Sequence, residues 1–338
     1  MSTPLVGIVV LNWNRLGLIK KCLQSVEKQS YPAFQTFVID NGSTDGSVEW
    51  LQSLGDRIHA TYNPKNRGFA PAIDQGIAAA LDHGCTYVVA LNNDAVLDPS
   101  WLKAMVAYME AHPKCGFAQG ASMQADHKAR FDSTGIYLER GFIPRQRASD
   151  STDPMLDTPV IGPNAAASLY RADMLHAVAH KHGEYFDKRF FAYVEDVDFN
   201  VRCTMRGYQC GFVPKAVMHH VGSATGNTIA RKKMFWGARN MIWMVYKNAS
   251  WKLLRMTGKK IIVSHLANLQ YLWRDQRILF WPYLWGLAVG VLGIPLFWPR
   301  RRQNLKAATL TAEQFFNLMV PSNPPLSNPL KKLKSLIR

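Results

Sequence analysis

The sequence is poor in cysteine, with five in 338 residues and no CxxC pair among them. Their number is odd, whereas a disulfide framework uses cysteines in pairs, and a zinc site needs closely spaced ligand pairs. These features argue against both kinds of scaffold, and we interpret the cysteines as reduced thiols in a cytosolic setting. They are Cys22, Cys85, Cys115, Cys203 and Cys210.

The glycine-rich nucleotide fingerprints are also missing. No GxGxxG follows a predicted strand, and the sequence contains no GxxxxGK(S/T) phosphate loop. A signal peptide is not expected either, because the apolar run Leu5–Leu11 is too short and has no basic region before it. We interpret that run as a buried strand.

Acidic residues are scarce in the last third of the chain. Residues 231–338 contain 19 Lys and Arg but only two acids, Asp275 and Glu313, whereas residues 1–229 are close to neutral. Apolar residues make up 48% of the sequence, which is enough for a sizeable core. We therefore predict a globular domain over residues 1–229 and a basic, aromatic-rich, mostly helical region over residues 230–338.

The first half of the sequence alternates between patterns typical of strands and of helices. This alternation predicts an α/β fold with a mainly parallel sheet between helices. The predicted strands are Val6–Asn12, Thr36–Ile39 and Tyr87–Leu91, and the predicted helices are Leu16–Gln29, Ala70–Asp82 and Trp101–Ala111. For residues 116–163 we predict short strands and an acceptor-side loop. Ordered segments are predicted after it, at Ala165–Leu175, Phe190–Arg206 and Tyr208–Val213.

Polar side chains follow three of these strands at the point where each ends. Asn12 ends the first strand, Asp40 ends the second, and Asn92-Asn93-Asp94 ends the strand at Tyr87–Leu91. Each of them alone is equally typical of a cap or a turn. Three at corresponding strand ends favour a ligand site, since ligands of such sheets bind beyond the carboxyl ends of the strands.

Two segments predict a cation site. Asp94 is at the tip of the LNND turn, and Mg²⁺ and Mn²⁺ prefer carboxylate oxygens and can bridge two phosphates. His219-His220 follows the strand at Tyr208–Val213, where a histidine would complete the site with Asp94. The alternatives are an ordinary turn and a surface histidine.

Glu195, Asp196 and Asp198 place three carboxylates within four residues. Their mutual repulsion destabilises the fold unless they bind a cation or act on a reacting hydroxyl. A helix beginning near Glu195 would favour their ionised forms through its positive end, and an ionised carboxylate beside a hydroxyl is what a general base requires. The alternative is an acidic first helical turn with no catalytic role.

Six motifs occur in order between Val6 and Ser223: VVLNWN, DNGSTDGS, NRGFA, LNND, FFAYVEDVD and HHVG. Together they resemble glycosyltransferase family 2, the inverting enzymes of GT-A fold. Within that family the chain looks most like rhamnosyltransferase-type members that build bacterial cell-surface glycans. The resemblance implies a GT-A type (Rossmann-like) sheet flanked by helices.

The resemblance also implies which residues bind the donor. Asp40 would contact the pyrimidine base and Asn12 would lie beside the nucleoside. Asn66 and Arg67 would approach the ribose or the diphosphate, with Asn93 lining the same site.

The family's DXD motif carries the metal-binding carboxylate, here Asp94, but its first aspartate is replaced by Asn92. His220 lies where some members have a further metal ligand and would compensate in part. Asp196 of the ED motif would be the catalytic base, with Glu195 and Asp198 on the acceptor side.

These roles imply a single displacement that needs Mn²⁺ or Mg²⁺. The expected donor is a nucleotide sugar, first dTDP-L-rhamnose and next a UDP-hexose. The expected acceptor is polyprenyl-linked or another cell-surface glycan.

The segment Ile278–Pro299 has 22 residues without a charge and ends at Arg300-Arg301-Arg302. Its length would span a bilayer, but Pro282 and Pro295 would break the helix. The basic flanks and interleaved tryptophans are typical of an interface. They favour an interfacial or re-entrant segment over a span or a packed core element. We therefore expect a peripheral or monotopic enzyme on the anionic cytoplasmic face of the cell membrane.

Two other interpretations stay open from the sequence. The basic, aromatic-rich tail would also suit a nucleic-acid-binding protein, which leaves the ordered acidic motifs unexplained, and we expect no nucleic acid partner. With Asn92 in place of aspartate, the chain would also suit a catalytically weak scaffold that binds a nucleotide sugar at the membrane.

Overall fold

The computed structural model describes residues 3–127, 129–180, 183–221 and 230–321. Its strands are β1 (Val6–Asn12), β2 (Phe34–Asp40), β3 (His59–Tyr62), β4 (Tyr87–Asn92), β5 (Ala95–Leu97), β6 (Cys115–Gln124), β7 (Phe131–Ser133), β8 (Ile136–Glu139), β9 (Ile143–Gln146), β10 (Ala167–Arg171) and β11 (Gln209–His220). Its helices are α1 (Leu16–Glu27), α2 (Ser47–Ser53), α3 (Phe69–Asp82), α4 (Trp101–Ala111), α5 (Ala172–Val178), α6 (Glu195–Met205), α7 (Ala230–Asn248), α8 (Trp251–Asp275), α9 (Arg277–Leu292), α10 (Trp298–Ala307) and α11 (Ala312–Leu318).

The first half of the sheet is parallel, as predicted. β1 pairs in parallel with β2 and with β4, and β3 adds in parallel beside β2. Val6 and Ile8–Val10 of β1 are fully buried because one hydrophobic cluster packs on each face of the sheet. This arrangement brings the carboxyl ends of β1, β2 and β4 to one rim.

The second half makes the sheet mixed, which corrects the prediction of a mainly parallel one. β10 is antiparallel to both β4 and β6, β11 is parallel to β6, and β5 is antiparallel to β11. β5 follows β4 after only two residues, Asn93 and Asp94, and its first residue, Ala95, pairs with His220 at the end of β11. The β4–β5 turn therefore carries Asp94 to the end of β11.

The basic C-terminal region packs on the rest of the chain. One hydrophobic cluster joins Ile136, Phe190 and Val197 to Trp243 of α7 and to Phe297. Helices α7 and α9 approach closely at Gly286, where an added Cβ would lie 2.5 Å from the Phe235 carbonyl oxygen. The division at residue 229 stays a prediction, and Gly222 and Ser223 of the HHVG motif lie outside the described residues.

The uncharged segment forms α9, then a short 3-10 helix at Ile294–Phe297, and then enters α10. Pro282 was predicted to break the helix, but it lies inside α9, which continues to Leu292. The break comes at Gly293. Within the described ranges no single helix is long and apolar enough to cross a bilayer. The bent pair Arg277–Leu292 and Ile294–Ala307 meets the length and composition requirements together, with 56° between its halves.

Two of the three arginines after this segment make contacts inside the protein. Arg300 lies 2.6 Å from a carboxylate oxygen of Glu184 and 2.6 Å from one of Asp187. Arg301 is buried and donates to the Tyr246 carbonyl. Arg300 neutralises two carboxylates, and Arg301 satisfies a backbone carbonyl. Of the three arginines, only Arg302 is exposed.

Candidate active site

Asn12 and Asp40 meet at the rim, as their positions at neighbouring strand ends predicted. The Asn12 amide donates to Asp40 Oδ2 at 2.9 Å, and Asn93 donates to Asn12 Oδ1 at 2.8 Å. The other Asp40 oxygen accepts from the Ser43 backbone at 2.8 Å. Asn12 and Asp40 are fully buried, and their hydrogen bonds hold the rim together. The contact between Asp40 and the pyrimidine base of the donor stays a prediction.

A second network orders the loop that carries Asn66 and Arg67. Asn41 donates to Asn66 Oδ1 at 3.0 Å and accepts from the Arg67 backbone at 3.0 Å. The Arg67 side chain is exposed beside the rim. Gly68 has φ +91°, and a Cβ there would lie 2.6 Å from the Phe191 carbonyl oxygen. Only glycine therefore lets this loop touch the segment that precedes Asp196.

Asp94 and His220 are brought together at the end of the β5–β11 pair. His220 Nε2 lies 3.3 Å from Asp94 Oδ1, and His220 Nδ1 lies 2.9 Å from Asp132 Oδ2. Burial would lower the pKa of His220, but its hydrogen bonds to Asp132 and Asp94 outweigh burial and raise that pKa to about 10. The sequence did not single out Asp132, because a lone aspartate in a loop-rich segment gives no signal.

This pair fits a divalent cation that is also held by a substrate. Asp94 offers a carboxylate oxygen, and Asp132 accepts from His220 Nδ1, so Nε2 would bind a cation once the ion has displaced the proton that this nitrogen carries. In the part of the chain that the structure describes, no group of three or more His, Cys, Asp or Glu is arranged to hold a metal ion alone. Phosphate oxygens and water would therefore complete the coordination, as is usual for Mg²⁺.

Helix α6 begins at Glu195, so Glu195 and Asp196 occupy its first turn, as predicted. The helix end was expected to favour the ionised forms of these carboxylates, and Glu195 does not follow that expectation. Burial, with the nearby Asp196 and Asp198 carboxylates, raises the pKa of Glu195 to about 8. Burial also raises the pKa of Asp196, although the backbone amides of Val197 and Ala165 act in the opposite direction. For both carboxyl groups, burial outweighs the backbone hydrogen bonds that favour the ionised form.

The loop before α6 is strained, and α7 holds it in place. Phe191, Tyr193 and Val194 have φ values of 65°, 67° and 69°, which non-glycine residues rarely adopt. The buried Asn240 of α7 donates to the carbonyls of Phe190, Ala192 and Tyr193 at 3.0, 3.0 and 2.7 Å. Sequence reasoning missed Asn240, since it lies more than 40 residues from the carboxylates that it helps to position.

Asp198 does not lie on the acceptor side, which corrects the prediction for this residue. It is fully buried, and its oxygens accept from Lys247 at 2.7 Å and from Asn248 at 2.8 Å. Lys247 also pairs with Asp187 at 2.7 Å. Asp198 points inward from α6 because a buried lysine on α7 needs two carboxylates around it.

A cavity of about 1000 Å³ opens beside Asp196. The N-terminus of α6, the β8–β9 hairpin and helices α7, α8 and α9 enclose it, and both Glu195 and Asp196 line it. None of the predicted nucleotide-binding residues lines this cavity. The candidate base therefore lies between the rim of the sheet and a separate, mostly apolar space.

Comparisons with known proteins agree with this architecture. Residues 7–169 match the family model Glycosyl transferase family 2. The chain is 24% identical over 303 residues to the N-acetylglucosaminyl-diphospho-decaprenol L-rhamnosyltransferase of Mycobacterium tuberculosis, covering 81% of this chain and 96% of that protein. It is 30% identical over 115 residues to an uncharacterized glycosyltransferase of Haemophilus influenzae, covering 32% of this chain and 34% of that protein.

Two solved structures share the fold. One is the mannosyltransferase PcManGT from Pyrobaculum calidifontis in complex with GDP-Man and Mn²⁺, with a TM-score of 0.53, 18% identity and coverage of 94% of this chain and 88% of that one. The other is GalNAc-T7 with UDP, GalNAc and Mn²⁺, with a TM-score of 0.60, 10% identity and coverage of 88% and 58%.

The fold is thus that of a GT-A glycosyltransferase, with a mixed central sheet between helices and a helical C-terminal region. Residues 7–169, just under half of the chain, are similar to glycosyltransferase family 2.

Proposed function

We propose that this enzyme transfers a sugar from a nucleotide-diphosphate donor to a lipid-linked glycan acceptor, with inversion at the anomeric carbon. The observation that carries the proposal is the position of Asp196. It lies in the first turn of α6, after a loop whose Phe191 carbonyl accepts from the Phe69 backbone on the nucleotide side, and it also lines a separate cavity. This position supports a role for one carboxylate between a donor site and an acceptor site.

The donor site would use the rim residues Asn12, Asn93 and Arg67 together with Asp94 and His220. Asp94 and His220 would hold the Mn²⁺ or Mg²⁺ ion. When bound, such an ion neutralises negative charge on the diphosphate as the sugar departs. With Asn92 in place of the family's aspartate, the pair of Asp94 and His220 would supply the protein's share of the coordination.

Asp196 would act as the general base. It takes the proton from an acceptor hydroxyl while that oxygen forms a bond to the anomeric carbon and the bond to the diphosphate breaks. Glu195 is less suited to this role, because its side chain is buried, whereas Asp196 is partly exposed. A base and a leaving group on opposite faces of the sugar give inversion without a covalent intermediate.

Relatives support the choice of substrates. The mycobacterial relative is named for rhamnosyl transfer to a diphospho-decaprenol acceptor, and its similarity extends over 81% of this chain, well beyond the family domain. We therefore propose dTDP-L-rhamnose as the first donor to test and UDP-hexoses next, with a polyprenyl-linked acceptor.

We also propose attachment to the cytoplasmic face of the membrane, as a peripheral or monotopic enzyme. The support is an exposed apolar surface on α9, where the exposed fractions of Ile278, Trp281 and Trp285 are 61%, 64% and 62%. A surface of this kind marks a protein or membrane contact.

A donor panel tests the proposed function. Release of nucleoside diphosphate is measured with dTDP-L-rhamnose, UDP-glucose and UDP-N-acetylglucosamine, using membrane extract as acceptor, with Mn²⁺ or with a chelator. The proposal expects acceptor-stimulated release with one donor, loss of activity with the chelator, and an inverted anomeric signal in the product by NMR. Absence of transfer with every donor, or retention of configuration, would contradict it.

A further inference from the structure

We propose that the cavity between α6 and helices α7, α8 and α9 binds the acceptor as an amphiphile, a hydrocarbon chain ending in a phosphate or diphosphate, with the anionic group at Lys233. This inference rests on the proposed function, because it identifies the class of acceptor that reaches Asp196. It also assigns a binding role to the basic C-terminal region.

The position of the cavity separates it from the donor. Glu195 and Asp196 line it, whereas Asn12, Asp40, Arg67 and Asp94 do not. An acceptor hydroxyl has to reach the base from a side that the donor leaves free. A space of about 1000 Å³ is at the upper end of the range for small-molecule pockets, so it can hold more than one sugar ring.

The lining favours a hydrocarbon chain. Met234 and Met241 of α7 and Ile278 and Leu279 of α9 present apolar side chains to the cavity. Methionine adapts its shape to flexible apolar ligands. Ile278 is 61% exposed, so the cavity lining continues into the exposed apolar surface of α9. A chain could therefore pass from a bilayer into the cavity while remaining in contact with apolar atoms.

A cation is available at the end of the cavity near the base. The Lys233 ammonium lies 5.3 Å from the centre of the Tyr193 ring, and Tyr193 is two residues before Glu195. Among the residues that the structure describes, no carboxylate lies within ion-pairing distance of Lys233, whereas Arg145, which also lines the cavity, is paired with Glu139 at 2.9 Å. An unpaired lysine beside apolar walls complements an anionic headgroup.

Two substitutions test the two halves of the ligand. Gly237 of α7 lines the cavity, and a Cβ at this position would meet nothing within 4 Å, so Gly237→Leu adds apolar volume at the cavity wall from a Cβ that makes no clash. Gly258 of α8 has the same open surroundings but does not line the cavity, which makes Gly258→Leu a matched control. Lys233→Gln removes the cation, and Lys232→Gln is its control on the same helix.

The experiment measures binding of farnesyl diphosphate, farnesol and inorganic pyrophosphate to the full chain by calorimetry, with nucleotide-sugar binding measured on every variant. We expect saturable binding of farnesyl diphosphate, and weaker binding of pyrophosphate and of farnesol. Gly237→Leu and Lys233→Gln should each lower the affinity for farnesyl diphosphate by about tenfold or more, the loss expected for one charge-assisted contact or a blocked cavity. The affinity of both control variants for farnesyl diphosphate should stay within about twofold of the parent value.

Failure of this inference is distinguishable from failure of the proposed function. A parent chain that binds a nucleotide sugar but not farnesyl diphosphate, or whose affinity for it is the same in all four variants, overturns the lipid site alone. A parent chain that binds no nucleotide sugar overturns the proposed function. If Gly237→Leu fails to fold, the comparison of Lys233→Gln with Lys232→Gln decides the outcome.

Discussion

At the scale of single residues, Asp94 and Asp98 offer a matched comparison. Each carboxylate lies near a histidine of β11, with 3.3 Å between Asp94 and His220 and 3.6 Å between Asp98 and His219. Only Asp94 is in the turn that we assign to the donor. Asp94→Ala should therefore lower donor affinity and remove its dependence on Mn²⁺, whereas Asp98→Ala should do neither. Calorimetry of donor binding with and without Mn²⁺ measures both effects. Equal affinities in Asp94→Ala and the parent would contradict the assignment.

Glu195 predicts a pH dependence of stability. Its pKa is about 8 in the folded chain and near 4.5 when unfolded, so the folded state holds a proton that the unfolded state releases between these values. Stability should fall as pH rises through this window. The Tm of the parent should therefore drop more between pH 5 and pH 8 than that of Glu195→Gln. Glu49→Gln, at an exposed position on α2, should behave like the parent. If Tm falls equally with pH in all three proteins, Glu195 is not the source of the pH dependence.

Single residues also show what the sequence could predict of the site. Asn12, Asp40 and Asp94 were predicted together because strand ends define a rim, and His220 because it follows the strand beside it. Asp132 and the burial of Asp198 had no such signal. Their positions depend on contacts with His220 and with Lys247, which join distant segments.

At the scale of elements, the strained loop before α6 depends on α7. Asn240→Ala removes the donor to three carbonyls and should let the loop relax away from its positive-φ conformation. We expect kcat to fall about tenfold to a hundredfold, as for a misplaced catalytic group, with little change in donor affinity. Asn304→Ala is the control, because Asn304 is also a buried amide and contacts Asn248 instead. A loss of Tm in both variants with an unchanged kcat would reduce Asn240 to a structural role.

The longer elements were predictable, and the short ones were not. The bounds of β1 and α4 agree with those expected from their apolar patterns, because each is long enough to show its period. The three-residue strand β5 and the short helix α2 are too short to show one. The apolar patterns also gave no sign of the antiparallel pairs that β10 forms with β4 and β6 and that β5 forms with β11.

At the scale of the whole molecule, the basic C-terminal region is divided between inner and outer roles. Lys247, Arg300 and Arg301 are used inside the protein, while Trp281 and Trp285 remain exposed. Counting charges in the sequence could not show which cations are buried, because their burial depends on how the C-terminal helices pack on α6 and on the loop before it. The exposed tryptophans, and not the triple arginine, are therefore expected to carry membrane attachment.

Replacing Trp281 and Trp285 by Ser should release the enzyme from anionic vesicles, because it removes apolar area that would insert at the interface. Leu156→Ser, at an exposed apolar position in the body, should leave sedimentation with vesicles unchanged. Activity on a short water-soluble acceptor should be retained in both proteins. If the double variant still sediments with vesicles, another surface holds the membrane.

The most direct test of the whole account is the turnover of Asp196→Asn with the preferred donor and a lipid-linked acceptor, measured beside its donor affinity. Asparagine keeps the shape of the side chain but cannot accept the acceptor proton, and loss of a general base typically lowers turnover by about 10²–10⁴-fold. We predict a loss of that size with donor affinity nearly unchanged. Turnover above about a tenth of the parent value would show that Asp196 is not the base.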